Sequence, residues 1–315
     1  MRQLVTRAAM VLVAAAAAVS LAAVPTASAA TVLTVQETLG IGAGEMTDLL
    51  GGSVCHAPAN TCVEVVYPAV VGPDSVPAGV VALDEAIAAT PAPMIVMGYS
   101  QGAIVAGHWL REHAADPGVP STEDLSFVLV GNPARAFGGA YVPLGDTTPQ
   151  TQYTVTDVAR QYDLFADFPN KPFSPFFLLA LANAVMGIQS VHLDYTQVNP
   201  DDPANARWTV DNTTYVLTPT HDLPLLQPLR TLGCDRLADA LNTPLKAMVD
   251  RAYRRPEPFP GASDIREARA PQRAPRADRA EVRRTARAQR HEAMTARHDA
   301  RSEHRTARAP QKSGL

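Results

Sequence analysis

The chain has 315 residues, 46% of them hydrophobic and 18% charged, with a formal net charge of −4. That is enough apolar material for one sizeable core, and it excludes a uniformly basic nucleic-acid binder. The total conceals a split: residues 261–315 carry 14 Lys/Arg against 7 Asp/Glu, which leaves −11 on residues 1–260.

The first 30 residues read as a secretory leader. Arg2 and Arg7 supply a positive n-region, residues 8–23 are an Ala/Val/Leu stretch, Pro25 breaks it, and Ala27-Ser28-Ala29 suits a small-residue cleavage site. A membrane anchor is the rival reading, but a span wants about 20 strongly apolar residues, and this stretch is short and rich in alanine. Cleavage is expected near Ala29 or Ala30, so that a mature protein starting near Thr31 is secreted to the cell envelope.

The body, residues 31–255, fits a single domain. Residues 31–35 form a β-rich run that meets a loop with three glycines, Gly40, Gly42 and Gly44. Cys55 and Cys62 enclose residues 56–61, and outside the reducing cytoplasm they predict a local disulfide, with metal ligation beside His56 as the lesser alternative. Cys234 is left over and is expected to be a buried thiol. Residues 63–67 are a second strand, ended by Pro68. Residues 75–89 have helical spacing of Val76, Val80, Ala82, Leu83 and Ile87. Residues 92–96 are a fully apolar strand, residues 101–113 a helix, and residues 126–130 and 152–158 further strands. A hairpin follows at 208–210 and 214–217, around Asp211-Asn212. Strands alternating with helices predict an α/β fold with a central, mostly parallel sheet, whose site lies at the carboxyl ends of the strands.

Beyond Arg255 the apolar periodicity stops. Residues 256–315 are rich in Arg, Ala and Pro and cannot bury enough apolar surface to offset their ordering entropy, so a disordered basic tail is expected. It suits a solvated extension or adhesion to an anionic envelope surface. It has no aromatic residue after Phe259 for stacking on bases, so nucleic acid is not an expected partner.

Between the strand at 92–96 and the helix at 101–113 lies Gly98-Tyr99-Ser100-Gln101-Gly102, a G-x-S-x-G sequence in strand–turn–helix context. That context makes it a nucleophile elbow, which lifts the Ser100 hydroxyl above the sheet. A serine hydroxyl needs a histidine to take its proton and a carboxylate to hold the histidine's tautomer, in the chain order Ser, acid, His for this fold. Asp163 and Asp167 follow the strand at 152–158. Asp163 is preferred, because it comes first and has apolar neighbours. His192 and His221 are the candidate bases, with His192 preferred. The oxyanion donors are expected to be the N–H of Gln101 and an N–H near Thr38 and Leu39. Residues 173–188, with Phe173, Phe176, Phe177 and Leu181, are apolar nearly all round. They predict either a core helix or a lid-like insertion that forms an acyl-chain wall over the site, with one face on the body and another on substrate or membrane. With no ligand cluster and no phosphate-binding glycine loop, neither a metal nor an organic cofactor is expected.

Taken in order, the elbow, Val130-Gly131-Asn132-Pro133, Arg160-Gln161-Tyr162-Asp163, His192-Leu193-Asp194-Tyr195 and Leu223-Pro224-Leu225-Leu226 resemble the PE-PPE C-terminal serine hydrolase domain family. The resemblance covers roughly residues 31–255 and implies a cutinase-like α/β-hydrolase of mycobacteria and their relatives. Its acid falls on Asp163, and the family's H-x-x-Y setting falls on His192. The implied activity is a secreted serine esterase or lipase acting on lipid-like esters. Acyl transfer to envelope glycolipid hydroxyls is one alternative, and a non-catalytic envelope-binding protein on the same scaffold is another. The chain departs from the family pattern twice. The first 30 residues read as a leader rather than as a PE or PPE domain, so export by the general secretory route is expected, and the loop at 38–44 lacks a Gly-Gly-Thr-Gly form.

Overall fold

The computed structural model describes residues 29–57 and 60–256. The expected leader, up to residue 28, and the expected tail, from residue 257, lie outside the described residues.

Seven strands form one sheet: β1 (Thr31–Val35), β2 (Thr61–Glu64), β3 (Met94–Tyr99), β4 (Leu125–Val130), β5 (Val155–Arg160), β6 (Ala206–Val210) and β7 (Thr213–Thr218). Their order is β2-β1-β3-β4-β5-β7-β6. Every neighbouring pair is parallel except the β6–β7 hairpin at one edge. This is the α/β-hydrolase arrangement. The central strands are apolar on both faces, as covered parallel strands must be: β3 and β4 bury Met94, Val96, Met97, Tyr99, Leu125, Phe127, Leu129 and Val130.

Two helices, α1 (Ser75–Ala89) and α2 (Gln101–Glu112), cover one face. Leu83 and Ile87 of α1 and Trp109 and Leu110 of α2 pack there with Leu33, Val35, Phe127 and Tyr153. The other face is covered by Leu49 and Leu50 of a short 3-10 segment, together with Tyr195 and Val198. Three further helices, α3 (Phe177–Met186), α4 (Gln227–Thr231) and α5 (Asp235–Val249), gather around Tyr162, Ala180, Leu223 and Ala238. Among the described residues, no helix is long and apolar enough to cross a membrane.

Three expected strands shift their bounds. The strand expected at 63–67 pairs over Thr61–Glu64 instead, and Val65 and Tyr67 leave the ladder to enter the core. β3 begins at Met94 and continues through Gly98, because its pairing with β4 runs on to Tyr99 opposite Val130. β5 ends at Arg160, so the turn that carries Asp163 starts directly at the end of the strand. Cys55 and Cys62 are joined by a disulfide. Cys234 corrects its expectation: it is exposed, because it precedes α5 in a turn with exposed neighbours.

Candidate active site

Ser100 is held at the point where β3 turns into α2, with φ 50° and ψ −109°. Positive φ is costly for a residue with a Cβ, and it persists where the surroundings dictate it. Two glycines supply the room. A Cβ on Gly98 would lie 2.5 Å from the Gly102 carbonyl oxygen, and one on Gly102 would collide with the Val35 carbonyl of β1. Strand and helix therefore approach as closely as backbone allows.

Asp163 leaves β5 after Tyr162, itself at φ 70°, and is fully buried. His192 closes a single π-type turn, Ile188–His192, after α3. The three side chains meet. Ser100 Oγ lies 3.0 Å from His192 Nε2. His192 Nδ1 lies 2.8 and 2.9 Å from the two Asp163 carboxylate oxygens. Oδ1 also accepts from the N–H groups of Phe165 and Ala166, at 2.8 and 3.0 Å, and Oδ2 from the Tyr195 hydroxyl, at 2.7 Å. Burial alone pushes the Asp163 carboxyl up. The His192 imidazole and the hydrogen bonds from His192, Tyr195 and Ala166 outweigh it and hold the group below its ordinary value.

Residues outside the expected set brace this constellation. The Tyr99 hydroxyl donates to the His192 carbonyl. Arg160 donates to the carbonyls of Ser190 and Asp194, at 2.9 and 2.5 Å, on either side of His192. Tyr195 accepts the Arg160 N–H at 2.9 Å while it donates to Asp163. The His-x-x-Tyr spacing was the sequence signal for Tyr195. Arg160 stands in the Arg160-Gln161-Tyr162-Asp163 motif, but its bracing role could not be read there, because its partners lie about 30 residues away. The Phe165 ring stacks obliquely on the imidazole at 4.5 Å.

The two candidates not preferred are placed elsewhere. Asp167 accepts the Tyr162 N–H and pairs with Arg255. His221 is exposed in the loop after β7, and its carbonyl accepts from Asn242.

Ser100 and His192 open on a cavity of about 300 Å³. Ile41, Val71, Ile104, Ile188 and Leu193 supply its apolar wall, and Glu37, Thr38 and Gln101 line it beside Ser100. The Gln101 side chain bonds to Ser75 at 2.9 Å and to the Val70 carbonyl at 3.1 Å. Leu39 departs from expectation: its N–H donates to the Ala69 carbonyl at 2.7 Å, and its side chain is 60% exposed. The acyl wall also departs from expectation. Phe173, Phe176, Phe177 and Leu181 do not line this cavity, and from residues 173–188 Ile188 does. α3 packs its Ala180 and Ala184 side inward, against Leu223, Leu226 and α5, and that turns the other side outward. Among the described residues, no three metal-ligating side chains converge.

Residues 53–254 match the protein family described as PE-PPE domain. The chain is similar to esterase PE16 of Mycobacterium tuberculosis, at 40% identity over 181 residues, which are 51% of this chain and 34% of that protein. It is also similar to diacyltrehalose acyltransferase Chp2 of the same organism, at 35% identity over 202 residues, 56% of this chain and 55% of that protein. The chain thus spans about a third to just over half the length of these curated relatives. Among solved structures, a cutinase-like protein from Cryptococcus sp. aligns at 19% identity with a TM-score of 0.36, over 44% of this chain and 79% of that one.

Proposed function

The chain belongs to the PE-PPE domain family, and from that premise we propose that it is a secreted serine hydrolase of lipid-like acyl esters, working at the cell envelope. The observation that carries this reading is the unbroken relay from Ser100 Oγ through His192 to the buried Asp163, at the mouth of an apolar cavity.

Ser100 Oγ attacks the ester carbonyl carbon while His192 Nε2 takes the hydroxyl proton. The imidazolium that forms is stabilised by Asp163, whose depressed pKa keeps it anionic at neutral pH. The oxyanion is met by the N–H of Gln101 at the start of α2 and by Thr38, and each such donor is worth about 10²–10³ in rate. The intermediate collapses, the C–O bond to the alcohol breaks, and the departing oxygen takes the proton from Nε2. An acyl-Ser100 ester remains. An incoming hydroxyl then attacks it, again losing its proton to His192, and the proton returns to Ser100 Oγ as the acyl group leaves.

The acceptor decides between hydrolysis and transfer. A second cavity, of about 620 Å³ and partly polar, is lined by Asp48, His56, Asp194, Thr196 and Asn199. It abuts the first across the strip where Ala43 N–H donates to the Leu193 carbonyl at 2.6 Å. This cavity supports a second reading, in which a sugar hydroxyl replaces water. Esters of p-nitrophenol with graded acyl chains test both readings. Turnover is expected to favour short and medium chains, because the cavity is at the small end for ligand sites, and to be lost in Ser100→Ala. Equal rates in wild type and Ser100→Ala would overturn the proposal. A disaccharide such as trehalose added to the same assay should yield its acyl ester, seen by mass spectrometry, if the acceptor is a sugar.

A further inference from the structure

A second feature lies apart from the Ser100 cavity. Lys171, Pro172, Phe173, Ser174, Pro175 and Phe176, with Arg251 and Arg254, enclose a surface hollow of about 500 Å³. Phe173 stands 98% exposed in it. α3 follows directly. Its Leu178, Leu181, Ala182, Val185 and Met186 fall at helical spacing on one stripe, and Leu178, Val185 and Met186 are 77%, 48% and 44% exposed. The opposite side of the helix, Ala180, Asn183 and Ala184, is buried in the body. An outward apolar stripe continuous with an unpacked aromatic ring is more than the scattered apolar exposure normal for a protein surface.

The charge around this surface reverses that of the body. Residues 31–260 sum to about −13, yet residues 171–186 contain no Asp or Glu, and the rim holds Lys171, Arg251 and Arg254. The Arg251 guanidinium lies 5.5 Å over the Phe176 ring. The neighbouring acid, Asp250, is taken up by Lys246 and Arg255 at 3.6 and 2.9 Å.

We propose that the Phe173 hollow and the outer stripe of α3 form a docking surface for an anionic lipid bilayer. Phe173 and Leu178 enter the acyl boundary, and Lys171, Arg251 and Arg254 meet the headgroup phosphates. Two residues beyond α3, Ile188 opens the turn that carries His192 and lines the Ser100 cavity, so the docking surface and the site are joined through one short stretch of chain. Binding of this kind does not depend on the chemistry at Ser100, and Ser100→Ala should bind like wild type.

The test is cosedimentation of the full chain with vesicles of phosphatidylcholine alone and of phosphatidylcholine with phosphatidylglycerol. Low salt is compared with about 1 M salt, where charges are screened beyond about 3 Å. Wild type should prefer the anionic vesicles at low salt and keep a residual, apolar affinity at high salt. Phe173→Ser with Leu178→Ser should weaken binding at least about tenfold in both conditions. Arg251→Glu with Arg254→Glu should weaken it at low salt alone. Turnover of a soluble short-chain ester by Leu178→Ser, unchanged, reports an intact fold. In Phe173→Trp, emission should shift to the blue when anionic vesicles are added. The proposal is overturned if the double serine variant binds like wild type at both salts, or if the Phe173→Trp emission does not move.

Discussion

Ser100, His192 and Asp163 owe their geometry to neighbours that do no chemistry. Tyr99 and Arg160 hold the backbone on both sides of His192, and Tyr195 fixes the carboxylate that faces it. Asp163 accepts hydrogen bonds on both oxygens in a buried site, so even an isosteric change there should be felt at His192. Asp163→Asn keeps the shape but presents an amide to Nδ1, so the imidazole loses its working tautomer; kcat should fall by about 10⁴ with KM little changed. The same carboxylate links stability to pH. Its folded value lies below the ordinary 3.8, so its contribution is complete above that value and is lost as pH falls through the lower, folded one. Denaturant unfolding should therefore show wild type ahead of Asp163→Asn at neutral pH, with the gap narrowing as pH falls below the ordinary carboxylate value. The grouping of Ser100 with Asp163 and His192 was legible in the sequence, because each candidate follows a strand or helix end in chain order. The fate of the Leu39 N–H was not: it depends on Ala69, 30 residues away in another loop.

At the scale of elements, the turn that carries Asp163 is clamped from the C-terminal side by α5. Lys246 is buried there. Its ammonium donates to Gln161 at 3.0 Å and to the Tyr162 hydroxyl, and it lies 4.5 Å from the Tyr162 ring centre. Burial lowers its pKa from 10.5 to about 8, against the opposing pull of Asp250. Between those values the unfolded chain binds more protons than the folded one, so stability rises with pH, by at most about 1.4 kcal/mol per pH unit. Chemical denaturation between pH 8 and 9.5 should show this rise in wild type and a flatter profile in Lys246→Met. A parallel slope in the two proteins would remove Lys246 as its source. Apolar spacing located α1, and the strand–turn–helix context of the elbow located α2. Apolar spacing could not orient α3, which is apolar on every side. Contacts with Leu223, Leu226 and α5 decide which side goes inward, and those contacts join segments 40 to 60 residues apart. The expectation that Phe173, Phe176, Phe177 and Leu181 wall the site failed for that reason.

Across the described residues, the proposed site gathers at the carboxyl ends of the strands. β1 leads to Thr38, β3 to Ser100 and β5 to Asp163, and the excursion through α3 returns His192 to the same edge. The mostly parallel sheet could be read from the alternation of strands and helices, whereas the strand order and the edge pairing at Thr61–Glu64 rest on contacts between distant segments. Ser100 Oγ, 3.0 Å from His192, carries the central claim. Reaction of the folded full chain with a fluorophosphonate, followed by peptide mapping in the mass spectrometer, tests it most directly. One adduct is expected, on the peptide containing Ser100, absent in Ser100→Ala, slowed by orders of magnitude in His192→Ala and retained in His221→Ala. An adduct on another serine, or labelling that survives His192→Ala and is lost in His221→Ala, would contradict it.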